Sequence, residues 1–424
     1  MPITRHTRRQ DRPITDTRET VMPHPSTVDI LADLIALDTT SCRSNLALIE
    51  YVEGYLARYG VVGRRVADAS GEKANLYCTI GPGDASGVML SGHTDTVPVT
   101  GQRWRFDPFT LSAEGEHLYG RGTADMKGFL AAVLAAVPAM VGADLAVPIH
   151  LAFSHDEEVG CLGVRSLIDD LAQYPQRPAA CIVGEPTSMR IATAHKGKLG
   201  LRVCLSGKAC HSGMAPEGVN AIHAAARIID WVERTATRKA ADGPFDPRFA
   251  IAHTTLQVGT IEGGTALNIV PQDCRLDLEI RTVPADDVEA LVAELEAVAD
   301  SLSAEMRGAH PESSIRFERL SEYPGLSLDD DHALIEFILQ LLDEPARERI
   351  GYGTEGGLFQ RELGIPTVVC GPGSMAQGHQ PDEFVTRDQL TRCDRFLTRL
   401  IGRLESPDMH RRRARGSLLT DAPD

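Results

Sequence analysis

Four short apolar runs, spaced along the chain among helical patterns, constrain the fold more than any other feature. They are VML (88–90), PIHLAF (148–153), ACIVG (180–184) and PTVVCG (366–371). Helical patterns over residues 28–37, 45–58, 126–140 and 163–171 lie before, between or beside them. Strands that alternate with helices build βαβ units, whose strands are parallel. The first domain is therefore expected to be α/β, with a mainly parallel sheet covered by helices on both faces.

Residues 199–313 change this pattern and predict a second domain inserted into the first. Strand and helix patterns follow one another in the order LGLRVCL, NAIHAAARIIDWVERTA, TTLQVGTI, QDCRLDLEIR and DVEALVAELEAVADSLSAE, and the strand pattern SIRFERL follows from residue 314. This is the β-α-β-β-α-β order of ferredoxin-like domains. The second helix carries a one-sided apolar stripe, which favours packing on an antiparallel sheet. The stripe consists of Val288, Leu291, Val292, Leu295, Val298 and Leu302.

The two ends of the chain complete the expected domain boundaries. Residues 1–24 are rich in Arg, Thr and Pro and lack the apolar segment of a secretory signal, so a disordered extension is expected, and Met22 could be the true start. The arginine-rich residues 406–424 are expected to form a flexible tail. The first domain then comprises residues 25–198 and 314–405.

Charge and cysteine content narrow the class of protein. A formal net charge of -16 argues against nucleic acid or an anionic membrane as the main partner, because both need a basic face. No run of about 18 apolar residues predicts a membrane span. Nine cysteines are scattered without a CxxC pair, which indicates a reducing cytoplasm and no disulfide framework. Only Cys161, beside an acidic cluster, is left open as more than a small buried residue.

Each apolar run ends in, or shortly precedes, a side chain that can bind a metal ion. The run VMLSG leads to His93 and Asp95, and PIHLAF leads to three carboxylates at 156–158. The run ACIVG leads to Glu185, and PTVVCG is followed by a glycine-rich loop and His379. Because the carboxyl ends of parallel strands face one crevice, these side chains are expected to converge.

The residue types indicate two divalent ions. Asp156, Glu157 and Glu158 repel one another at the end of a buried strand, which suggests a cation that the sequence itself does not contain. Asp125, in LYGRGTADMKG, is a further candidate, although alone it would be interpreted as a helix N-cap. Imidazole with carboxylate oxygen suits zinc or cobalt, with manganese possible. Two histidines and three carboxylates exceed one tetrahedral ion and suit two ions that share a carboxylate.

Six motifs resemble the dinuclear zinc aminoacylases and deacylases, over about residues 25–405. They are SGHTDTVP (91–98), LYGRGTADMKG (118–128), HDEEVG (155–160), GEPTSMR (184–190), CHSGMAPEGVNAI (210–222) and GPGSMAQGHQPDEFV (371–385). The family fold is a catalytic α/β domain with an inserted lid and dimerisation domain. The resemblance therefore implies a homodimer that acts on a small N-acyl amino acid.

Carried over by motif, the resemblance also implies a ligand set. Asp125 would bridge the two metal ions. Glu158 and His379 would complete one ion, while His93 and Glu185 would complete the other.

The other acidic residues of these motifs would not bind metal and would have different roles. Asp95 lies two residues beyond His93 on the same side of an extended chain, so it would orient the imidazole ring. Glu157 resembles the family's general base, which faces the water held between the ions. Asp156 would point away into hydrogen bonds at the strand end.

Four further residues match positions that contact substrate in the family. His211 resembles a histidine that reaches across the dimer interface to stabilise the oxyanion, with a structural histidine as the alternative. Asn268 and Arg281 match lid positions, and Arg281 suits a bidentate grip on an α-carboxylate or, alternatively, a surface ion pair. Glu355 could pair with a cationic substrate side chain or be a structural loop carboxylate.

Several segments are most similar to the family members that deacetylate N2-acetyl-L-ornithine in arginine biosynthesis. They are WRFDPFTL, GEPTSMRIATAHKG, YGTEGG and GHQPDEFV. The TEGG segment differs from the GGTSD-type sequence of members that act on succinyl-diaminopimelate. Departures at LNIVPQ and after Glu355 leave acetylcitrulline, succinyl-diaminopimelate or a peptide substrate of a metallocarboxypeptidase as alternatives.

Overall fold

The computed structural model describes residues 24–414. The chain begins with α1 (Thr27–Ile35), α2 (Leu46–Ala57), β1 (Arg64–Ala67), β2 (Ala74–Ile80), β3 (Val88–His93), β4 (Ser112–Glu114), β5 (His117–Tyr119), α3 (Lys127–Gly142), β6 (Ile149–Ser154), α4 (Val164–Leu171), β7 (Ala180–Pro186) and β8 (Ala194–His195). Within residues 24–414, none of the helices combines the length and apolar character needed to cross a bilayer.

The chain continues into the inserted domain and then returns. The inserted elements are β9 (Gly197–Ser206), a 3-10 helix (Ser212–Glu217), α5 (Ala221–Asp242), β10 (Thr255–Gly263), β11 (Asp273–Thr282), α6 (Val288–Ala309) and β12 (Ser314–Tyr323). The returning elements are β13 (Leu326–Ser327), α7 (Ala333–Leu339), α8 (Gly356–Leu363), β14 (Thr367–Gly371), β15 (Phe384–Thr386), α9 (Arg387–Glu405) and α10 (Pro407–Ala414).

The larger sheet has six strands in the order β1-β2-β6-β3-β7-β14. Strands β6, β3, β7 and β14 run parallel to one another, and β1 and β2 complete one edge in antiparallel pairing. These four parallel strands are the four apolar runs of the sequence. The prediction of a mainly parallel sheet is therefore confirmed.

Helices cover both faces of this sheet because its strands are apolar on both sides. Leu90 and Leu151 pack on one face against the core that includes α1, α2, α3 and α9. Met89 and Ala152, one residue away along the same strands, pack on the other face with α4 and α8. Every residue of β3 and β6 is buried, as expected for central parallel strands.

The inserted domain has a four-stranded antiparallel sheet in the order β10-β11-β9-β12. Helices α5 and α6 contribute Ile228 and Leu295 to a core shared with Leu201 and Leu276 of the sheet. The domain thus has the β-α-β-β-α-β order predicted from the sequence.

The smaller sheet continues past the predicted boundary at residue 313. Strand β12 pairs with β9 from Ser314 to Tyr323, so the smaller sheet extends ten residues beyond that boundary. A strand whose main-chain hydrogen bonds lie in the smaller sheet belongs to the inserted domain. The chain returns to the larger domain only after residue 323.

The predicted flexible tail, residues 406–424, begins instead with α10. Met409 of this helix is 2% exposed, and Arg413 Nη1 donates to the main-chain oxygen of Ala146 at 2.9 Å. The helix therefore docks on the larger domain, because it has an apolar contact that the arginine-rich composition concealed. Residues 1–23 and 415–424, where the other disorder predictions fall, lie outside the described residues.

Candidate metal centre

The carboxyl ends of the parallel strands bring the predicted ligands together. His93 is the last residue of β3, and Glu158 follows β6 after three residues. Glu185 lies near the end of β7, and His379 lies in the loop after β14. Asp125 precedes α3 and points into the same crevice, as its contacts show below.

Asp125 stands at the middle of this group. Its Oδ1 lies 3.0 Å from Nε2 of His93, and its Oδ2 lies 3.1 Å from Nε2 of His379. Glu185 Oε1 is 3.5 Å from the same nitrogen of His93, and Glu158 Oε2 is 3.0 Å from that of His379. One carboxylate thus faces two histidines, and each histidine has a further carboxylate of its own.

The charged side chains of this group are buried, which raises the free-energy cost of their negative charge. The side chains of His93, Asp125, Glu158 and Glu185 are at most 6% exposed, and Glu158 Oε1 has no hydrogen-bond partner among the described residues. Burial raises the pKa of Glu158 to about 7, and the charge of Asp125 adds to that shift. Hydrogen bonds to Asp125 and Glu158 raise the pKa of His379 to about 10. The carboxylates therefore compete for positive charge, which divalent cations would supply.

The donor set fits such cations. One ligand atom each of His93, Asp125 and Glu158 lies within 4.8 Å of the others, and the same holds for His93, Glu157 and Glu185. Imidazole nitrogen with carboxylate oxygen is the donor set of zinc and related transition metals. These residues can therefore hold divalent metal ions.

Asp95 contacts both the His93 imidazole and the main chain of the acidic loop. Its main-chain oxygen lies 3.0 Å and its Oδ1 3.6 Å from Nδ1 of His93. The same carboxylate accepts hydrogen bonds from the main-chain N–H of Glu157 at 3.1 Å and of Glu158 at 3.3 Å. Ser41 Oγ donates to it at 2.7 Å, a contact that the sequence did not predict because residue 41 belongs to no motif. Asp95 therefore orients an imidazole and the acidic loop together.

Glu157 is half-buried, and one of its carboxylate oxygens lies within 4.8 Å of ligand atoms of His93 and Glu185. Burial raises its pKa to about 8, which His93 opposes and the negative charge of Glu158 reinforces. Cys161, the cysteine left open above, donates its thiol to Glu157 Oε1 at 3.3 Å and is fully buried. All nine cysteines are unpaired, as predicted.

The first of the three adjacent carboxylates at 156–158 pairs with a lysine. Asp156 turns away from the other two with a φ of 55° and forms an ion pair with Lys73. Lys73 Nζ also donates to the main-chain oxygen of Ser41 at 2.5 Å. Lys73 belongs to none of the sequence motifs and lies 83 residues before its partner.

Replacing Lys73 with methionine is expected to lower the free energy of unfolding by about 1–3 kcal/mol. The change removes the lysine that pairs with Asp156 and leaves this carboxylate its contact with His155 Nδ1 at 3.1 Å. Breaking a fully buried pair costs about 3–5 kcal/mol, and the partial exposure of the Lys73 and Asp156 side chains, 17% and 16%, reduces this cost. Urea unfolding of both proteins measures the difference. Arg234→Met, which breaks an exposed pair with Asp230, is the control and should cost below about 0.5 kcal/mol. Equal losses would contradict the prediction.

Two predicted substrate contacts lie away from the metal group. His211 and Asn268 are exposed on the inserted domain, in segments that touch through the Ser212 N–H and the main-chain oxygen of Asn268 at 2.9 Å. Leu267, beside them, is fully exposed. Within residues 24–414, neither side chain bonds to a residue of the metal group.

Arg281 and Glu355 have the surroundings expected of their structural alternatives, an ion pair for Arg281 and a structural carboxylate for Glu355. Arg281 donates to Glu279 Oε1 at 2.8 Å and to the hydroxyl of Tyr323 at 2.8 Å, and it lines a cavity of about 260 Å³ together with Lys196. Glu355 is 1% exposed at the start of α8, and burial raises its pKa to about 7. Its burial favours the structural interpretation over contact with a substrate side chain.

Comparison with known proteins supports the arrangement. A sequence profile described as Peptidase family M20/M25/M40 matches residues 89–403. Acetylornithine deacetylase of Edwardsiella ictaluri (strain 93-146) is 35% identical over 385 residues, which cover 89% of this chain and 97% of that protein. Acetylornithine deacetylase of Pasteurella multocida (strain Pm70) is 34% identical over 390 residues, with 89% and 98% covered.

Solved structures share the fold. An M20 family metallo-carboxypeptidase from Sulfolobus solfataricus has a TM-score of 0.72 at 17% identity, covering 90% of this chain and 99% of that one. Together with the profile and the curated relatives, this likeness confirms the resemblance drawn from the six motifs. The chain therefore belongs to peptidase family M20/M25/M40 and is a metal-dependent hydrolase.

Proposed function

We propose that this chain removes the acetyl group from N2-acetyl-L-ornithine, giving L-ornithine and acetate in arginine biosynthesis. The observation that carries the chemistry is the Asp125 carboxylate, whose two oxygens face His93 and His379 at 3.0 and 3.1 Å. The substrate is inferred from the acetylornithine deacetylases to which the chain is 34–35% identical. Its nine unpaired cysteines suit a reducing cytoplasm.

The proposed ligand set divides between two ions, with zinc as the first choice and cobalt as the alternative. Asp125 would bridge them, Glu158 and His379 would hold one, and His93 and Glu185 would hold the other. When bound, two such ions polarise the amide carbonyl and acidify a water molecule.

Glu157 is proposed as the general base. Its carboxylate accepts a proton from the attacking water and then donates it to the nitrogen of the leaving amine. Asp95 holds the Glu157 main chain at 3.1 Å, and Cys161 contacts Oε1 at 3.3 Å, so the carboxylate is oriented from both ends. Asp95 also keeps the His93 ring in place.

His211 and Asn268 are proposed to act in a homodimer. Both are exposed on the inserted domain and bond to no residue of the metal group within residues 24–414, so a second copy of the chain could receive them. The inserted domain would then serve as lid and dimerisation domain. His211 would donate to the oxyanion of the partner's reacting carbonyl.

Arg281→Ala is expected to lower kcat/KM for N-acetylornithine about 10- to 100-fold, because a hydrogen bond to a charged group contributes about 1.5–3 kcal/mol. The proposed grip requires Arg281 to exchange Glu279 and Tyr323 for the substrate carboxylate. N-acetylputrescine, which lacks the carboxylate, should be a poor substrate for wild type and should lose little further in the variant. Steady-state kinetics on both substrates measure this.

Arg202→Ala is the matched control, since Arg202 pairs with Asp277 in the same small sheet. It should leave both substrates unaffected. If Arg281→Ala reduced turnover of the two substrates equally, Arg281 would not bind the carboxylate.

Acetate or amine release from a panel of substrates tests the function itself. The panel comprises N-acetylated ornithine, citrulline and methionine, N-succinyl-diaminopimelate and a dipeptide. The highest kcat/KM is expected for N-acetylornithine. A preference for the dipeptide would instead establish a peptidase, in line with the metallo-carboxypeptidase that shares the fold.

A further inference from the structure

Three side chains outside the ligand set connect the main chains of two ligands. They are Glu383, Arg121 and Gln102, and they are called the ligand tether below. Arg121 and Glu383 are each 1% exposed, which is unusual for charged residues and requires a strong reason for their burial. The contacts of the tether supply that reason.

Glu383 fixes the segment that carries Asp125. Its Oε1 accepts hydrogen bonds from the main-chain N–H groups of Ala124 at 2.9 Å and Asp125 at 3.1 Å. Its Oε2 accepts from Arg121 Nη1 at 2.6 Å. The buried Glu383 carboxylate is therefore neutralised by Arg121, and its two main-chain donors belong to Asp125 and to the residue before it.

Arg121 connects Glu383 to Gln102. Its Nη2 donates to Gln102 Oε1 at 2.5 Å, and its guanidinium lies over the ring of Trp104 at 4.9 Å. A guanidinium is planar and presents its donors in a fixed fork, so its two acceptors are held in fixed relative positions. Glu383 and Gln102 are thereby held relative to each other.

Gln102 ends the tether on the second ligand. Its Nε2 donates to the main-chain oxygen of His379 at 2.9 Å. The amide can have only one orientation, because Oε1 already accepts from Arg121 and from Trp104 Nε1 at 3.0 Å. The amide group must therefore face His379.

His379 needs such support more than the other ligands. Its side chain is 46% exposed, whereas those of Asp125 and Glu158 are 3% and 6% exposed. Its φ is 60°, in the left-handed region that non-glycine residues seldom adopt. Hydrogen bonds from other segments therefore add to packing in fixing the position of His379. A second such bond runs from Arg105 N–H to Asp382 Oδ1 at 2.7 Å.

We propose that Gln102 is a positioning residue for the ion held by Glu158 and His379, and that Arg121 links it to the support of Asp125. This inference rests on the two-ion centre proposed above. Groups that orient a ligand in this way change metal affinity about 10- to 100-fold. Loss of the Gln102 amide should lower the affinity for the ion held by Glu158 and His379 and leave the affinity for the ion held by His93 and Glu185 unchanged.

Gln102→Glu tests the proposal. The carboxylate can still accept from Arg121 and Trp104 but has no N–H for the main-chain oxygen of His379. Calorimetric titration of the metal-free full chain with zinc and with cobalt is expected to show one dissociation constant raised about 10- to 100-fold and the other within about 2-fold of wild type. Gln102→Leu, which adds no charge but also removes the oxygen that accepts from Arg121 and Trp104, should weaken the ion held by Glu158 and His379 at least as much.

Two controls sharpen the test. Gln173→Glu removes an exposed amide contact of the same kind, to the main-chain oxygen of Asp169, which is not a proposed ligand, and should change neither constant. In a His379→Ala background, Gln102→Glu should add no further loss, since its target ligand is gone. Circular dichroism checks that the folded content is unchanged.

The outcomes separate the inference from the function. Two unchanged constants in both Gln102 variants, or an equal loss at both ions, would overturn the positioning role. A wild-type chain that binds fewer than two ions would instead overturn the two-ion centre. A selective loss that disappears in the His379→Ala background supports the tether.

Discussion

Glu157→Gln is expected to lower kcat about 10²- to 10⁴-fold while both metal ions stay bound, because general acid-base transfer contributes a factor of this size. Glutamine has the shape of glutamate and keeps an oxygen for the Cys161 thiol, which lies 3.3 Å from Oε1. It cannot accept the proton of the attacking water. KM should change little, since the carboxylate is proposed to act on the water and the leaving amine.

The same substitution one residue later provides the contrast. Glu158→Gln should lower kcat and also release one ion, because Glu158 Oε2 lies 3.0 Å from His379 Nε2 and is a proposed ligand. Metal content by mass spectrometry after gel filtration distinguishes the two variants. Full activity of a properly metallated Glu157→Gln protein would remove Glu157 from its role as base.

Asp125→Asn is expected to abolish tight binding of both ions and to lower kcat/KM about 10³-fold or more. Loss of an orienting group costs about 10- to 100-fold in metal affinity, and the loss of a charged ligand shared by two ions must exceed that. Both oxygens of Asp125 face histidine nitrogens, so asparagine would place its amide N–H₂ against one of them. No single partner in the group can compensate for that.

Metal titration and activity with added zinc measure this loss. Asp144→Asn, at a side chain 92% exposed, makes the same chemical change and should leave metal binding intact. An Asp125→Asn protein that retained two tightly bound ions would show that this carboxylate does not bridge them.

The sequence predicted most of the sheet and the position of the centre. Four apolar runs became the four parallel strands because the strands of a parallel sheet are buried on both faces and therefore form continuous apolar runs. Since parallel strands end at one edge, His93, Glu158, Glu185 and His379 had to meet there. The pairing of their atoms into two groups around Asp125 is visible only in the structure.

The errors and omissions arose where local pattern and tertiary contact differ. The boundary at 313 separated the strand SIRFERL from the β-α-β-β-α-β pattern that includes it, and the pairing of β12 with β9 places this strand in the inserted domain. The basic composition of residues 406–424 predicts a flexible tail, whereas residues 407–414 form a helix that one buried methionine and one arginine contact dock on the larger domain. The sequence also left two roles open for Arg281; the structure shows its contacts with Glu279 and Tyr323, and its substrate contact stays a prediction.

The order of strands and helices, the insertion of a second domain and the types of ligand at the strand ends were determined by the sequence itself, because periodicity and chemical type are properties of neighbouring residues. Only the tertiary structure decided which cation neutralises Asp156, which hydroxyl binds Asp95 and which amide holds the main chain of His379. Those pairs join residues separated by 83, 54 and 277 positions. Distant side chains meet only after the core has packed, so no local pattern records them.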